Sequence, residues 1–481
     1  MARQVLIIHG WSDHSSSFVP LADFLTKNGF EARILWLADY ISEDDDVRVE
    51  DVARRMNTVI GDMIRSETLD KSFDVIVHST GGLVARAWLT GWYSSDPRAC
   101  PMKRLIMLAP ANYGSKLAAT GKSFLGRILK GYDNWFHTGQ SMLNDLELSS
   151  SLQWELVQRD VLQAPGGDAT RYYGANLVWP FVIVGTHPYA SLLRQIVNEN
   201  GADGTVRVCA ANLNARGVTI DFRDPNPVIT PWQTRLECDV PLAVLPTRTH
   251  GSIVDPDRVS NAEDISETPD EKAQLGRLIL QALSCKDFGE YQNIQKEWDA
   301  LTEVTASRYK NPQEKQPDFY HQYMQGDFSV VDDQGLWVND YILEFFSGTD
   351  PTYDKANVYM HGKVIEDVVK NSQNAALRTV YFDRTDLVDG YYAQLPPGAV
   401  PTLFLSISAA APGKNISYFR DITQGAPGQV PLHLEDDAAK RWLRRNTTHF
   451  IRLIIPRVSS NPDVFQLRDF PTLTQKPELD A

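Results

Sequence analysis

The sequence predicts an α/β protein: a parallel sheet with helices on both faces over residues 1–285, then an all-β, sandwich-like region over 326–470. Three observations predict it. Short apolar runs alternate with helix-compatible segments through residues 1–110, and such alternation builds βαβ units around a parallel sheet. One of those apolar runs breaks into a helix-compatible run through a serine and two glycines at 78–82. Beyond residue 326 the texture changes to short strands separated by turns such as LPPGAV and APGQVP, which suits a sandwich.

In chain order, a buried-type strand at 4–9 carries Val5-Leu6-Ile7-Ile8, followed by helix 17–29, strand 31–37, helix 48–67, strand 73–78, helix 81–93 and strand 103–109. From 115 to about 178 the pattern loosens. An insertion there, above the carboxyl ends of the strands, is where a lid or cap would sit; an extra surface helix packing on the core reads equally well. Strand 181–186, helix 187–198, strand 205–210, a β segment near 217–222, strand 240–245 and helix 270–284 complete the first region. Residues 286–325 are highly charged, partly helical and end in prolines, and read as a connector. Strands are expected at 327–331, 336–346, 356–369, 377–383, 400–408, 416–420 and 448–458, with Val358, Met360 and Gly362 alternating against Tyr359, His361 and Lys363. Residues 471–481 read as a tail.

The segment DVIVHSTGGLVARAWL, residues 74–89, carries the chemistry. A serine on a tight strand-to-helix turn is pushed out over the sheet edge, where a substrate can reach it. Gly81 and Gly82 suit such a bend, because strand and helix backbones approach closely there. The helix start behind Ser79 offers N–H groups and a positive dipole end for a developing oxyanion. The competing reading is an ordinary βα turn with a capping serine. Two further segments bear on it: Val5-Leu6-Ile7-Ile8 runs into His9-Gly10-Trp11, and Leu105-Ile106-Met107-Leu108 runs into Ala109-Pro110 with Asn112-Tyr113-Gly114-Ser115 behind.

With these motifs in this order, residues 1–285 resemble the α/β-hydrolase superfamily, and within it the lipase-like serine esterases. The resemblance implies a nucleophile, acid, histidine order along the chain, with Ser79 as nucleophile. It places the acid at Asp203, in the D-G turn of NENGADGTVRV, and the base at His250, on the loop after strand 240–245. It assigns the oxyanion donors to the N–H groups of Trp11 and Thr80 and calls for no cofactor. Two positions depart from the family pattern: Val77 stands where a small residue is preferred, and His9-Gly10-Trp11 is not a glycine run. Asp221, Asp224 and Asp239 also lie between serine and histidine.

The expected function is hydrolysis of carboxylic esters, lipid esters of lipase or phospholipase type, through an acyl-enzyme. The same groups would also serve acyl transfer to another alcohol or amide and peptide cleavage, and the fold could be a non-catalytic binding scaffold. The partners expected are an ester or lipid substrate and a lipid surface touched through the lid or β-region. A formal charge of −14 argues against nucleic acid. The run Ser42 to Asp46 reads as a solvated loop, without EF-hand spacing. Cys100, Cys209, Cys238 and Cys285 follow no metal-ligand spacing and suit a reducing compartment. The first strand begins almost at Met1, which fits no cleavable signal, and no apolar run spans a membrane. The expected location is cytoplasmic, or exported by a signal-independent route.

Overall fold

The strand Phe73–His78 is buried along its whole length, the pattern of a strand covered by helices on both faces. In the structure, a computed structural model, it lies inside a sheet of six parallel strands. Their order is Leu242–Leu245, Trp179–Gly185, Met102–Leu108, Phe73–His78, Gln4–Ile8 and Glu31–Leu35. The structure describes residues 3–8, 15–35, 46–119, 139–189, 198–224, 226–257, 267–347, 355–399, 401–418, 430–433 and 443–459. From Gln4–Ile8 the chain moves outward to the edge strand Glu31–Leu35, then returns to Phe73–His78 on the other side. That reversal falls between Gln4–Ile8 and Phe73–His78, and the carboxyl ends of the strands at such a point are where sheets of this kind bind ligands.

Helices follow from local signals. Pro269–Ser284 begins on a reciprocal cap between Thr268 and Glu271, with Pro269 in the first turn. Phe288–Ala306 begins on Asp287, whose carboxylate accepts from the Glu290 N–H at 2.9 Å. Partial helicity over 286–325 is as expected, but the packing of this helix into the main core corrects the expectation of a connector. Tyr291, Ile294 and Trp298 lie in the main core, and their spacing of three and four forms one helical stripe. Thr302 and Thr305 donate to the carbonyls of Leu242 and Val244 at 2.9 and 2.7 Å. The helix thereby covers the edge strand and satisfies two of its acceptors.

A second sheet, of mixed direction, runs in the order Ile365–Lys370, Leu377–Asp383, Tyr323–Asp332, Thr447–Ile455, Arg216–Asp221 and Val228–Pro231. A smaller sheet joins Tyr341–Phe346, Thr402–Ala409 and Val430–His433. Phe328, Val380 and Leu453 of the large sheet share one apolar cluster with Tyr341, Phe345, Leu405 and Ile407 of the small one, so the β-region is sandwich-like, with two sheets closing on a common core.

The boundary expected at residue 285 does not separate the two regions. Arg216–Asp221 and Val228–Pro231 precede it yet pair into the β-sheet, because Arg216–Asp221 lies in register beside Thr447–Ile455. In return, Phe450 from Thr447–Ile455 sits in the core around the parallel sheet, edge-on to Tyr113 and Trp154 with centroids 5.3 and 5.0 Å away.

The lid expected over 115–178 is corrected in its second half; residues 120–138 lie outside the described set. The helix Ser151–Asp160 is not a cover but core, since Leu156 and Val157 are fully buried and Asp160 pairs with the buried Arg86 at 2.8 Å. The helix expected over 187–198 and the tail 471–481 fall largely or wholly outside the described residues. The strand expected at 205–210 is replaced by a short helix, Val208–Ala211. In 356–369, a helix Lys355–Tyr359 and a π-helical turn Met360–Val364 precede the strand Ile365–Lys370. Ala356, Met360 and Val364 are its buried apolar residues, a spacing of four that overrides the apparent alternation of two.

Candidate active site

Ser79 sits where strand becomes helix, with a backbone φ of +53°. Few non-glycine residues adopt that region, and those that do cluster at functional sites. Main-chain hydrogen bonds fix the turn: the Ser79 N–H donates to Leu108 O at 3.1 Å, and its carbonyl accepts from Gly82 at 3.1 Å and Ala111 at 3.2 Å. A Cβ on Gly82 would stand 2.8 Å from Cβ of Pro110. The glycine is therefore required by the approach of the Ala109-Pro110 strand end. Val77 is accommodated within the buried strand, so its branched side chain does not prevent the turn.

His250 follows the strand Leu242–Leu245. Its loop crosses Gly185, the last residue of the neighbouring strand, where a Cβ would stand 1.8 Å from the Arg248 carbonyl. His250 Nε2 lies 3.1 Å from Ser79 Oγ, and Nδ1 lies 2.8 Å from Asp203 Oδ2. Asp203 is fully buried. Its other carboxylate oxygen accepts the N–H groups of Thr205 and Val206 at 3.0 and 2.8 Å, while its carbonyl accepts the His250 N–H at 2.9 Å. The acid is thus aimed by three main-chain contacts, leaving one oxygen for the imidazole. Such a chain can move a proton from the serine hydroxyl while stabilising the imidazolium that results.

The structure brings Ser79, Asp203 and His250 together, separated by 124 and 47 positions in the chain. Other carboxylates between serine and histidine are engaged elsewhere: Asp221 with Arg223 at 2.5 Å, and Asp239 with Arg216 at 3.2 Å and with Arg444. Thr80 is buried and caps the helix Gly81–Trp92, which puts its main chain at the positive end of the helix. Trp11 lies outside the described residues.

Sequence reasoning missed His78. Its Nε2 lies 3.1 Å from the His250 carbonyl; a histidine adjoining the elbow serine was the available signal. Among the described residues, one cluster could hold a metal ion: His321, Asp383 and Asp386, with donor atoms within 4.8 Å of one another. It belongs to the β-region, and His321 Nδ1 is hydrogen-bonded to Asp383 at 2.6 Å. The four cysteines are free thiols. No helix among the described residues is long and apolar enough to cross a membrane.

No family model matches the chain, and no curated protein matches it. Solved structures do. The phospholipase PlaB from Legionella pneumophila aligns with 26% identity and a TM-score of 0.78, covering 98% of this chain and 96% of its own. The same phospholipase in complex with thio-NAD aligns with 25% identity and a TM-score of 0.77, covering 98% and 97%. The mature lipase BlEst2 from Bacillus licheniformis overlaps only in part, with 16% identity and a TM-score of 0.33 over 44% of this chain and 79% of its own.

Proposed function

We propose that this chain, a lipase-like member of the α/β-hydrolase superfamily, hydrolyses carboxylic esters of lipids, phospholipids foremost, through Ser79, His250 and Asp203. The observation that carries the proposal is the continuous hydrogen-bonded row from Asp203 Oδ2 through both imidazole nitrogens to Ser79 Oγ, on a serine held at positive φ. In this reading His250 Nε2 takes the hydroxyl proton as Ser79 Oγ attacks the ester carbonyl, and Asp203 stabilises the imidazolium. The tetrahedral oxyanion is held by the N–H groups of Thr80 and Trp11; losing one such donor typically costs about 3 kcal/mol. Collapse expels the alcohol, which receives the proton from His250. Water, activated by the same nitrogen, then releases the acyl group from Ser79.

The substrate class rests on the likeness to the phospholipase, which extends over nearly all of both chains. A lipid-surface contact through the β-region belongs to the same proposal. It is supported by Leu336 and Trp337, which are half-exposed before the strand Tyr341–Phe346, since tryptophan favours membrane interfaces. The test compares the parent with Ser79→Ala on a p-nitrophenyl ester and on mixed phospholipid and glyceride vesicles, with the product lipids identified. Fatty acid released from phospholipid by the parent alone is expected. Undiminished ester hydrolysis by Ser79→Ala would remove the nucleophile assignment, and release from glycerides only would remove the phospholipid preference.

A further inference from the structure

We propose that the β-region positions the acid of the active site, by a clamp in which Glu366 of the sheet strand Ile365–Lys370 holds Arg207 of the loop that carries Asp203. This rests on the assignment of Asp203 as the partner of His250. The loop needs such a hold. Residues 198–207 form no regular helix or strand, and two of their glycines, Gly201 and Gly204, have φ of +64° and +94°. The loop closes on itself through an Ala202–Arg207 bridge, main-chain contacts of Val206 and Val208 with Asp203 and Gly201, and the Asp203 carboxylate, and Ser115 Oγ donates to its Thr205 carbonyl at 2.6 Å. A loop of this kind opens readily unless packed on something firmer.

The firm element is the β-region. Arg207 is 3% exposed. One arm of its guanidinium pairs with Glu366 at 2.5 Å and the other with Glu199 at 3.4 Å. The guanidinium also lies over the ring of Tyr381 at 4.0 Å and near that of Tyr323 at 5.3 Å. Glu366, Tyr381 and Tyr323 come from three adjacent strands of one sheet. Asn200 donates to the other oxygen of Glu366 at 2.8 Å. Gly201 lies so close to Tyr323 that a Cβ would stand 2.2 Å from the ring. Lys116 bridges Asp367 and Glu199 at 2.5 and 3.2 Å, reaching the same Glu199 oxygen as Arg207. Arg207 is buried while Glu366 stands at the exposed end of the pair, so deleting Glu366 leaves the buried guanidinium with Glu199 as its one remaining carboxylate partner among the described residues and unties it from the sheet. Loss of Glu366 therefore loosens the loop against the β-region, and Asp203 with it. Arg207 and Glu366 are positioning residues; neither reaches Ser79.

The experiment uses the full chain with Glu366→Ala, the milder Glu366→Gln, Ser79→Ala and a control, Glu344→Ala, exposed on another β-strand. Hydrolysis of a short-chain p-nitrophenyl ester is measured across pH, and melting is followed by circular dichroism. Misplacement of a catalytic group by about 1 Å can cost on the order of a hundredfold in rate. Glu366→Ala is expected to lower kcat about tenfold or more with KM within about twofold, and Glu366→Gln less. In both, the acid limb of kcat/KM should move to lower pH, because a loosened carboxylate no longer stabilises the imidazolium. Glu344→Ala should match the parent. If Glu366→Ala fails to fold, Glu366→Gln decides. A folded variant with the parent's kcat and acid limb, even at a lower melting temperature, overturns the clamp. If Ser79→Ala keeps full activity, the active-site assignment fails instead, and the two failures are distinct.

Discussion

The carbonyl of His250 lies 3.1 Å from Nε2 of His78, and the two imidazoles lie with centroids 4.7 Å apart and planes tilted by 44°. One strand end therefore both presents Ser79 and holds the main chain of the histidine that Ser79 meets. His78 is buried, and its ring also lies 5.7 Å from that of Phe18, which limits its freedom to turn.

His78→Phe keeps the bulk and removes the donor, so it is expected to lower kcat on a soluble ester by about tenfold or more, through misalignment of His250. His78→Gln carries an N–H at a similar reach and should recover part of the loss. Stopped-flow or steady-state kinetics on both variants check this; a His78→Phe enzyme with unchanged kcat would leave the contact without catalytic weight.

Asp203→Asn and Asp239→Asn should separate cleanly. The first is expected to lose about four orders of magnitude in kcat, because an amide at the Asp203 position favours the wrong imidazole tautomer. The second leaves Arg216 and Arg444 without their shared carboxylate and should lower the melting temperature with kcat within about threefold of the parent. A reversal of the two outcomes would assign the acid to Asp239.

Asp327 is fully buried, and burial pushes its carboxyl up to about 7 against the hydrogen bonds it accepts from Thr379 and Gln325. Between the ordinary value near 3.8 and that raised value, the folded chain keeps a proton that the unfolded chain has released. Stability is therefore lost as pH rises through this window. Asp327→Asn removes the dependence: it should melt above the parent at pH 8, with the gap shrinking as pH falls toward 4. Parallel pH profiles for the two proteins would contradict this.

A chain ended near residue 290 should be insoluble or unfolded rather than a small active esterase. The cut removes Tyr291, Ile294, Trp298 and Phe450 from the main core, uncovers the edge strand Leu242–Leu245, and leaves Arg207 without Glu366. Recovery of a monomeric, cooperatively melting truncation would show that the core tolerates their loss.

Much of the fold was legible because its signals are local. The run Phe73–His78, the serine, Gly82 and the helix behind them each follow from contacts within one βα unit, and the strand Met102–Leu108 needs only its own apolar pattern. Helical character over 286–325 was legible too, but the many charged residues disguised the buried stripe of Tyr291, Ile294 and Trp298 that makes Phe288–Ala306 part of the core. The segments 205–210 and 356–369 were misread because a short apolar run fits a buried helix as well as a strand.

The sequence by itself determined which chemistry-bearing residues exist and in what order. Ser79 is marked by the glycines and strand beside it, His250 by the strand before it, and Asp203 by its turn. Only the tertiary structure decided that Asp203, rather than Asp221 or Asp239, meets His250, because that choice depends on where Arg223, Arg216 and Arg444 lie. It alone joined Arg216–Asp221 to a strand whose paired residues lie 233 positions later in the chain, and Arg207 to Glu366. The physical reason is that a hydrogen-bonded ladder and a buried charge are satisfied by whichever partner the folded chain brings within about 3 Å, and sequence separation carries no record of that distance.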